Sequence, residues 1–246
     1  KKSNLKERFI AIHKKIDSLT ESCTKIKNGT LIKTQAPITL KKTFHESLEY
    51  NSKTDDEGVK RCKAACKDLG FETAKFHYVP SYYYDRPLET RRDLLNAVSV
   101  HHLCKTIICE NIECTKNDCS DPNNSRFYML LFQYTHKMNG DKIRRLIKGF
   151  NPKIGKKKFV FRLAKEEDSF DMSGYAHNAV TPFGMLTKEK VPLIVSDQLQ
   201  HLKPKTFFLG GGHVDVKIEL DYEEFLEQYE PYMVANITDV EEAYSE

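Results

Sequence analysis

The chain has 246 residues, of which 39% are hydrophobic and 30% charged, with a formal net charge of +4. This is the balance of a soluble globular protein, long enough for one large domain or for a domain with an extension. No apolar run approaches the roughly 20 residues needed to span a bilayer, and the basic start "KKSNLKERFIAIHKK" has no apolar signal core, so neither a membrane span nor secretion is expected. The seven cysteines lack the paired CxxC spacing of a zinc site, which predicts reduced thiols, no metal and a cytoplasmic location.

Residues 1 to 20 read as an amphipathic helix, with Leu5, Phe9, Ile12, Ile16 and Leu19 at helical spacing. The stretch from 21 to 56 is polar, with "KNGT" and "NSKTDDEG" as turn or linker signals. The chain therefore divides into an N-terminal extension, 1–56, and a domain, 57–246, ending in an acidic tail. "GVKRCKAACKDLG" reads as a short helix closed by Gly70. "FETAKFHYV" alternates like a strand and stops at Pro80, and "LETRRDLLNAVSV" is helical. "CKTIICEN" and "RFYMLLFQY" are apolar, β-rich runs on either side of a polar loop. "NGDKIRRLIKGF" supplies another helix, and "KKFVFRLA", "VPLIVS", "KTFFLGGG" and "VDVKIEL" supply further strands. The pattern predicts an α+β fold, a mixed, barrel-like β-sheet surrounded by helices.

From Lys142 to Lys165 the chain is rich in Lys and Arg and holds no acid, whereas after Lys217 it has no Lys or Arg. The basic run, with Lys142, Arg144, Arg145, Lys148, Lys156, Lys157 and Lys158, is either a solvated face or a patch that meets phosphates. There is no GxSxG turn, no Walker loop and no HExxH, and no cofactor is expected. "LGGGHV" permits close backbone approach to a ligand, because three glycines carry no side chain. His101, His102 and His213 are bases, ligands or structural residues. Lys105 opens an apolar strand, where an ammonium needs an anionic partner unless it points outward. The stretch "SGYAHNAVTPFGM" is a neutral bend of small residues between Tyr175 and Phe183.

The order of these segments resembles the YbaK and prolyl-tRNA editing-domain family, over roughly Gly58 to Gln228. "CKTIICEN" is similar to the family strand with its Lys-Thr pair, "GYAHNAVTPFG" to its glycine-rich loop, and "LGGGHVDVKIEL" to its strand-turn-strand. The resemblance implies an aminoacyl-tRNA deacylase that hydrolyses the ester of mischarged tRNA, above all tRNA(Pro) carrying alanine or cysteine. It implies a substrate-assisted mechanism in which the terminal ribose hydroxyl activates water, Lys105 orients the tRNA 3′ end, and loop N–H groups stabilise the oxyanion. Substrate contacts are implied at Tyr78, Thr106, Asn178, Ala179, Val180, Thr181, Pro182, Gly211, Gly212 and His213, with the basic run facing the acceptor stem. Asn178 stands where the family has glycine, and asparagine tolerates left-handed backbone better than most residues. The partners implied are the aminoacylated 3′ end of tRNA and prolyl-tRNA synthetase, in cis or in trans. The alternative is a non-catalytic tRNA-binding or synthetase-docking module of the same fold.

Overall fold

Asp56 accepts a hydrogen bond from the Val59 N–H at 2.9 Å and so caps helix α1, Glu57–Asp68, satisfying one of the amides that a helix start leaves open. Gly70 follows it in left-handed backbone at φ +81°, the stop expected for this helix. The computed structural model describes residues 55–187 and 190–244. The expected N-terminal helix, and the linker before residue 55, lie outside the described residues.

Beyond α1 come β1 (Lys75–Tyr78), α2 (Leu88–Leu94), β2 (Cys104–Asn111), β3 (Phe127–Gln133) and β4 (His136–Met138). They are followed by α3 (Gly140–Phe150), β5 (Phe161–Leu163), α4 (Glu166–Ser173), β6 (Leu193–Ser196), β7 (Thr206–Gly210) and β8 (Val216–Asp221). Helix α5 (Tyr222–Tyr229), β9 (Met233–Ala235) and β10 (Thr238–Val240) complete the domain. The strands form a five-stranded sheet of order β5–β2–β3–β6–β9, a three-stranded sheet β1–β8–β7 and the pair β10–β4. In the larger sheet β2 is antiparallel to β3 and β5, while β3–β6 and β6–β9 are parallel. A bridge between Leu103 and Phe208 joins the two larger sheets. The fold is thus mixed α+β, with mixed sheets and helices around them.

The unbroken apolar run of β3 has a physical cause, since its two faces enter two different cores. Met129 and Leu131 belong to one core, with Phe71, Phe183, Phe207 and Phe225. Tyr128, Leu130 and Phe132 belong to the other, with Ile143 and Ile147 of α3. A strand covered on both faces loses the polar half of its alternation.

Other segments differ from the expectation. "KKFVFRLA" begins as a 3-10 turn, Lys156–Lys158, and only Phe161–Leu163 pairs as a strand. The acidic stretch after β8 is helix α5, capped by Asp221 through the Glu223 and Glu224 amides. Its Phe225 is buried against Phe207, with ring centroids 5.3 Å apart. Among the described residues, no helix is long and apolar enough to cross a membrane.

Candidate active site

The two segments singled out in the sequence, "CKTIICEN" and the neutral bend, face one cavity of about 500 Å³. Its wall takes Cys104 to Ile108 from β2, Glu166 and Ser169 from α4, and Tyr175, His177, Asn178 and Val180 from the bend. Tyr84, Tyr134, Leu163, Ala164 and Gly210 complete it. The volume suits a small ligand, since such pockets run from about 300 to 1,000 Å³.

The bend is built by close backbone contact. Gly174 ends α4 in left-handed backbone, and the Arg61 guanidinium donates to its carbonyl at 2.8 Å while lying 4.7 Å from the centroid of the Tyr175 ring. The Tyr175 hydroxyl donates across the bend to the Phe183 carbonyl at 2.6 Å. Asn178 adopts φ +66°, a conformation that asparagine accepts more readily than other residues with side chains. Its carbonyl accepts from the Tyr84 hydroxyl at 2.9 Å, and the Ala179 N–H returns to the Ala176 carbonyl at 3.0 Å. Gly210 on β7 makes room for the bend, because a Cβ there would lie 2.9 Å from the Val180 oxygen and 3.0 Å from that of Ala179.

Elsewhere on the cavity wall, the Lys105 ammonium lies 5.1 Å from the Phe132 ring centroid and 5.3 Å from that of Tyr134. Aromatic faces thus meet the ammonium, where the sequence left open an anionic partner or an outward-pointing lysine. Burial lowers the lysine's pKa, and the negative charge of Glu241 opposes that shift. Thr106, only 6% exposed, has an Oγ1 with no hydrogen-bond partner, although buried hydroxyls are normally satisfied. Cys104 is also on the wall, but burial pushes its thiol well above the usual range, so it stays protonated and a poor nucleophile. The cavity therefore offers the Lys105 cation, the unengaged Thr106 hydroxyl, the Glu166 carboxylate, the His177 imidazole and the backbone of the bend.

A family model described as "Aminoacyl-tRNA editing domain" matches residues 92–227. The chain belongs to the aminoacyl-tRNA editing domain family. No curated protein sequence gives a match. Among solved structures, the editing domain is similar to a candidate trans-editing enzyme for prolyl tRNA synthetase, at TM-score 0.59 and 17% identity, covering 76% of this chain and 99% of that one. It is also similar to a scaffold protein used for computational epitope grafting, at TM-score 0.57 and 16% identity over 75% and 99% of the two chains. A hypothetical protein aligns at TM-score 0.53 and 18% identity over 73% and 99%. At these identities the likeness is one of fold.

The remaining expected site residues of the editing domain fall into three groups. Lys105, Thr106, Asn178 and Val180 share the cavity wall, and Ala179 backs it against Gly210. Thr181 is fully buried, and the Pro182 carbonyl accepts from the Tyr229 hydroxyl at 3.5 Å; neither residue of the bend lines the cavity. Gly211, Gly212 and His213 lie off the wall, at the turn that meets α1. Gly212 has φ +91° with the Gly58 carbonyl against it, and His213 Nε2 stands 3.8 Å from Asp56 Oδ2. Tyr78 is also off the wall, its hydroxyl bonded to Asp55.

Of the basic run, Arg144, Arg145, Lys148 and Lys156 line a second groove of about 420 Å³. Lys142 instead pairs with Asp239 at 2.8 Å. Lys158 lies 3.9 Å from Glu113, and Lys157 is exposed beside it on the same turn. Sequence reasoning missed Tyr84, Tyr134, Glu166 and Ser169, and it marked the segments of Tyr175, His177 and Gly210 without naming these residues as site residues. The run "SYYYD" was a usable signal for Tyr84, because three adjacent tyrosines exceed what one buried face needs.

Proposed function

We propose that this domain hydrolyses the ester of mischarged tRNA, with tRNA(Pro) bearing alanine or cysteine as its substrate. The observation that carries the reading is the single cavity shared by Lys105, Thr106 and the Asn178–Val180 bend. An ester carbonyl beside Lys105 would meet a partly desolvated cation, and charge that develops on its oxygen gains most from such a group, already in place and shielded from water. The Cys104 thiol is protonated, and Ser169 has no base hydrogen-bonded to its hydroxyl among the described residues. The resemblance to the editing-domain family supplies a terminal ribose hydroxyl of the tRNA itself as the group that activates water. The bend limits the space near the ester, which favours small aminoacyl groups over larger ones. Prolyl-tRNA synthetase, in cis or in trans, is the matching partner, and the cytoplasm the matching compartment.

The test incubates the protein with tRNA(Pro) charged with alanine, cysteine or proline and measures ester loss. Alanyl or cysteinyl ester should disappear while prolyl ester persists. Lys105→Ala should slow the reaction by about 100-fold, as removal of one preorganised charge-stabilising group does, with little change in melting temperature. Intact esters throughout, alongside retained tRNA binding, would replace the deacylase with a non-catalytic tRNA-binding module.

A further inference from the structure

The cavity wall holds one lysine and one carboxylate, Glu166. Glu166 and Ser169 are three apart on α4, and so share a face of the helix; that face reaches the cavity, whereas Glu167 and Asp168 do not line it. Among the described residues, no cation pairs with the Glu166 carboxylate and no donor bonds to it. The same cavity is lined by Lys105, whose ammonium lies on aromatic rings, and by Thr106, whose hydroxyl is buried with no partner. The cavity thus carries a cation, an unpartnered hydroxyl and an unpartnered carboxylate. It suits a ligand that is electron-rich at one end and cationic at the other.

We infer that Glu166 binds the α-ammonium of the aminoacyl group and restricts the cavity to esters of amino acids whose amine is free. The inference rests on the deacylase reading and adds the substrate class. An aminoacyl ester carries its carbonyl and ribose oxygens on one side and its ammonium one carbon from the carbonyl. With the oxygens at Lys105 and Thr106, the ammonium is the group left to meet a carboxylate. An N-acylated or peptidyl ester has a neutral amide at that position and leaves Glu166 without its counter-charge. Such a site removes a wrong amino acid before peptide synthesis and spares a growing peptide afterwards.

A competing role for Glu166 is helix stabilisation, because the first turn of α4 also contains Glu167 and Asp168 and acidic residues there complement the helix dipole. Glu167→Gln removes a similar contribution without touching the cavity, and serves as the control. The probes are 3′-alanylamino-3′-deoxyadenosine, an amide that cannot be hydrolysed as an ester, and its N-acetyl derivative. Their binding to the full chain is measured by calorimetry at pH 6.5, with parallel hydrolysis of alanyl-tRNA and N-acetyl-alanyl-tRNA.

The wild-type protein and Glu167→Gln should bind the free amine about tenfold more tightly than the acetylated form, a modest ratio set by the solvent exposure of Glu166. Glu166→Gln should erase that preference by weakening the free amine alone. A preference that survives in Glu166→Gln, that falls equally in both variants, or that is missing from the wild type would overturn the inference. A Glu166-dependent preference in a protein that hydrolyses neither tRNA would keep it, and would defeat the deacylase reading instead.

Discussion

Thr106 and Lys217 are both buried polar residues, and each makes a different prediction. A buried hydroxyl without a partner costs about 1–3 kcal/mol, and the Thr106 Oγ1 is such a group. Thr106→Val keeps the shape and removes the hydroxyl, so the melting temperature should hold or rise. If the hydroxyl serves the substrate, hydrolysis should fall by about tenfold, the effect of one lost hydrogen bond; unaltered hydrolysis would remove Thr106 from the site. Lys217 is 4% exposed, donates to the Val214 carbonyl at 2.7 Å and lies 4.6 Å from the Tyr84 ring centroid. Burial pushes its pKa down to about 7, partly opposed by Asp215. Its proton is thus held less tightly in the folded chain than in the unfolded one, and stability should rise as pH climbs from about 7 towards the ordinary lysine range. Below pH 7 the full cost of the buried cation is present. Lys217→Met should therefore gain more in melting temperature, relative to wild type, at pH 6 than at pH 9. A difference independent of pH would mean that the lysine is not titrating where its burial places it.

Two glycines show how elements, rather than single residues, set the site. Gly210 lies on β7 where the bend crosses, and an added methyl group would meet two backbone oxygens within 3.0 Å. Gly149 lies in α3 with nothing within 4 Å of its missing Cβ. Gly149→Ala should stabilise the protein by about 0.5–1 kcal/mol, the usual helix gain. Gly210→Ala should lower the melting temperature and slow hydrolysis, because the bend must move off the strand. Equal effects from both would show that the bend does not rest on β7 in solution. The same contrast explains what was legible in the sequence. Helix α1 and strands β2, β3, β6, β7 and β8 could be read because capping signals or apolar runs mark them. Helix α4 could not, since "EEDSFDMS" has little apolar periodicity, and with it Glu166 and Ser169 went unseen. Helix α5 was hidden by its acidity, although Phe225 anchors it. The Lys-Thr pair and Asn178 could be placed from their segments. The run "SYYYD" marks Tyr84 but not its partner, because Tyr84 meets the bend through a contact between residues 94 apart in sequence.

At the scale of the whole molecule, charge is sorted by what each basic residue already touches. Sequence made the run from Lys142 to Lys165 look uniform, but folding divides it. Lys142 is paired with Asp239 and donates to the Thr238 carbonyl, Arg144 with Asp141, and Lys148 is engaged by the Asn151 and Pro152 carbonyls. Arg145 and Lys156 are exposed on the second groove, with no ion pair to another described residue. Of the basic residues that line this groove, they are the ones left to meet a nucleic-acid backbone. Each phosphate contact releases counterions and adds about 0.7–0.9 to the slope of log affinity against log salt. The double variant Arg145→Glu, Lys156→Glu should weaken tRNA binding at low salt and make its salt dependence shallower by one to two such contacts. Lys142→Gln, which removes a charge already neutralised by Asp239, should leave the slope where it was. Hydrolysis at saturating tRNA should change little in either variant, because none of these side chains lines the cavity that holds Lys105. A double variant that binds with wild-type affinity and slope from 50 to 200 mM salt would make this groove an ordinary solvated face, and tRNA would have to approach the cavity from another side.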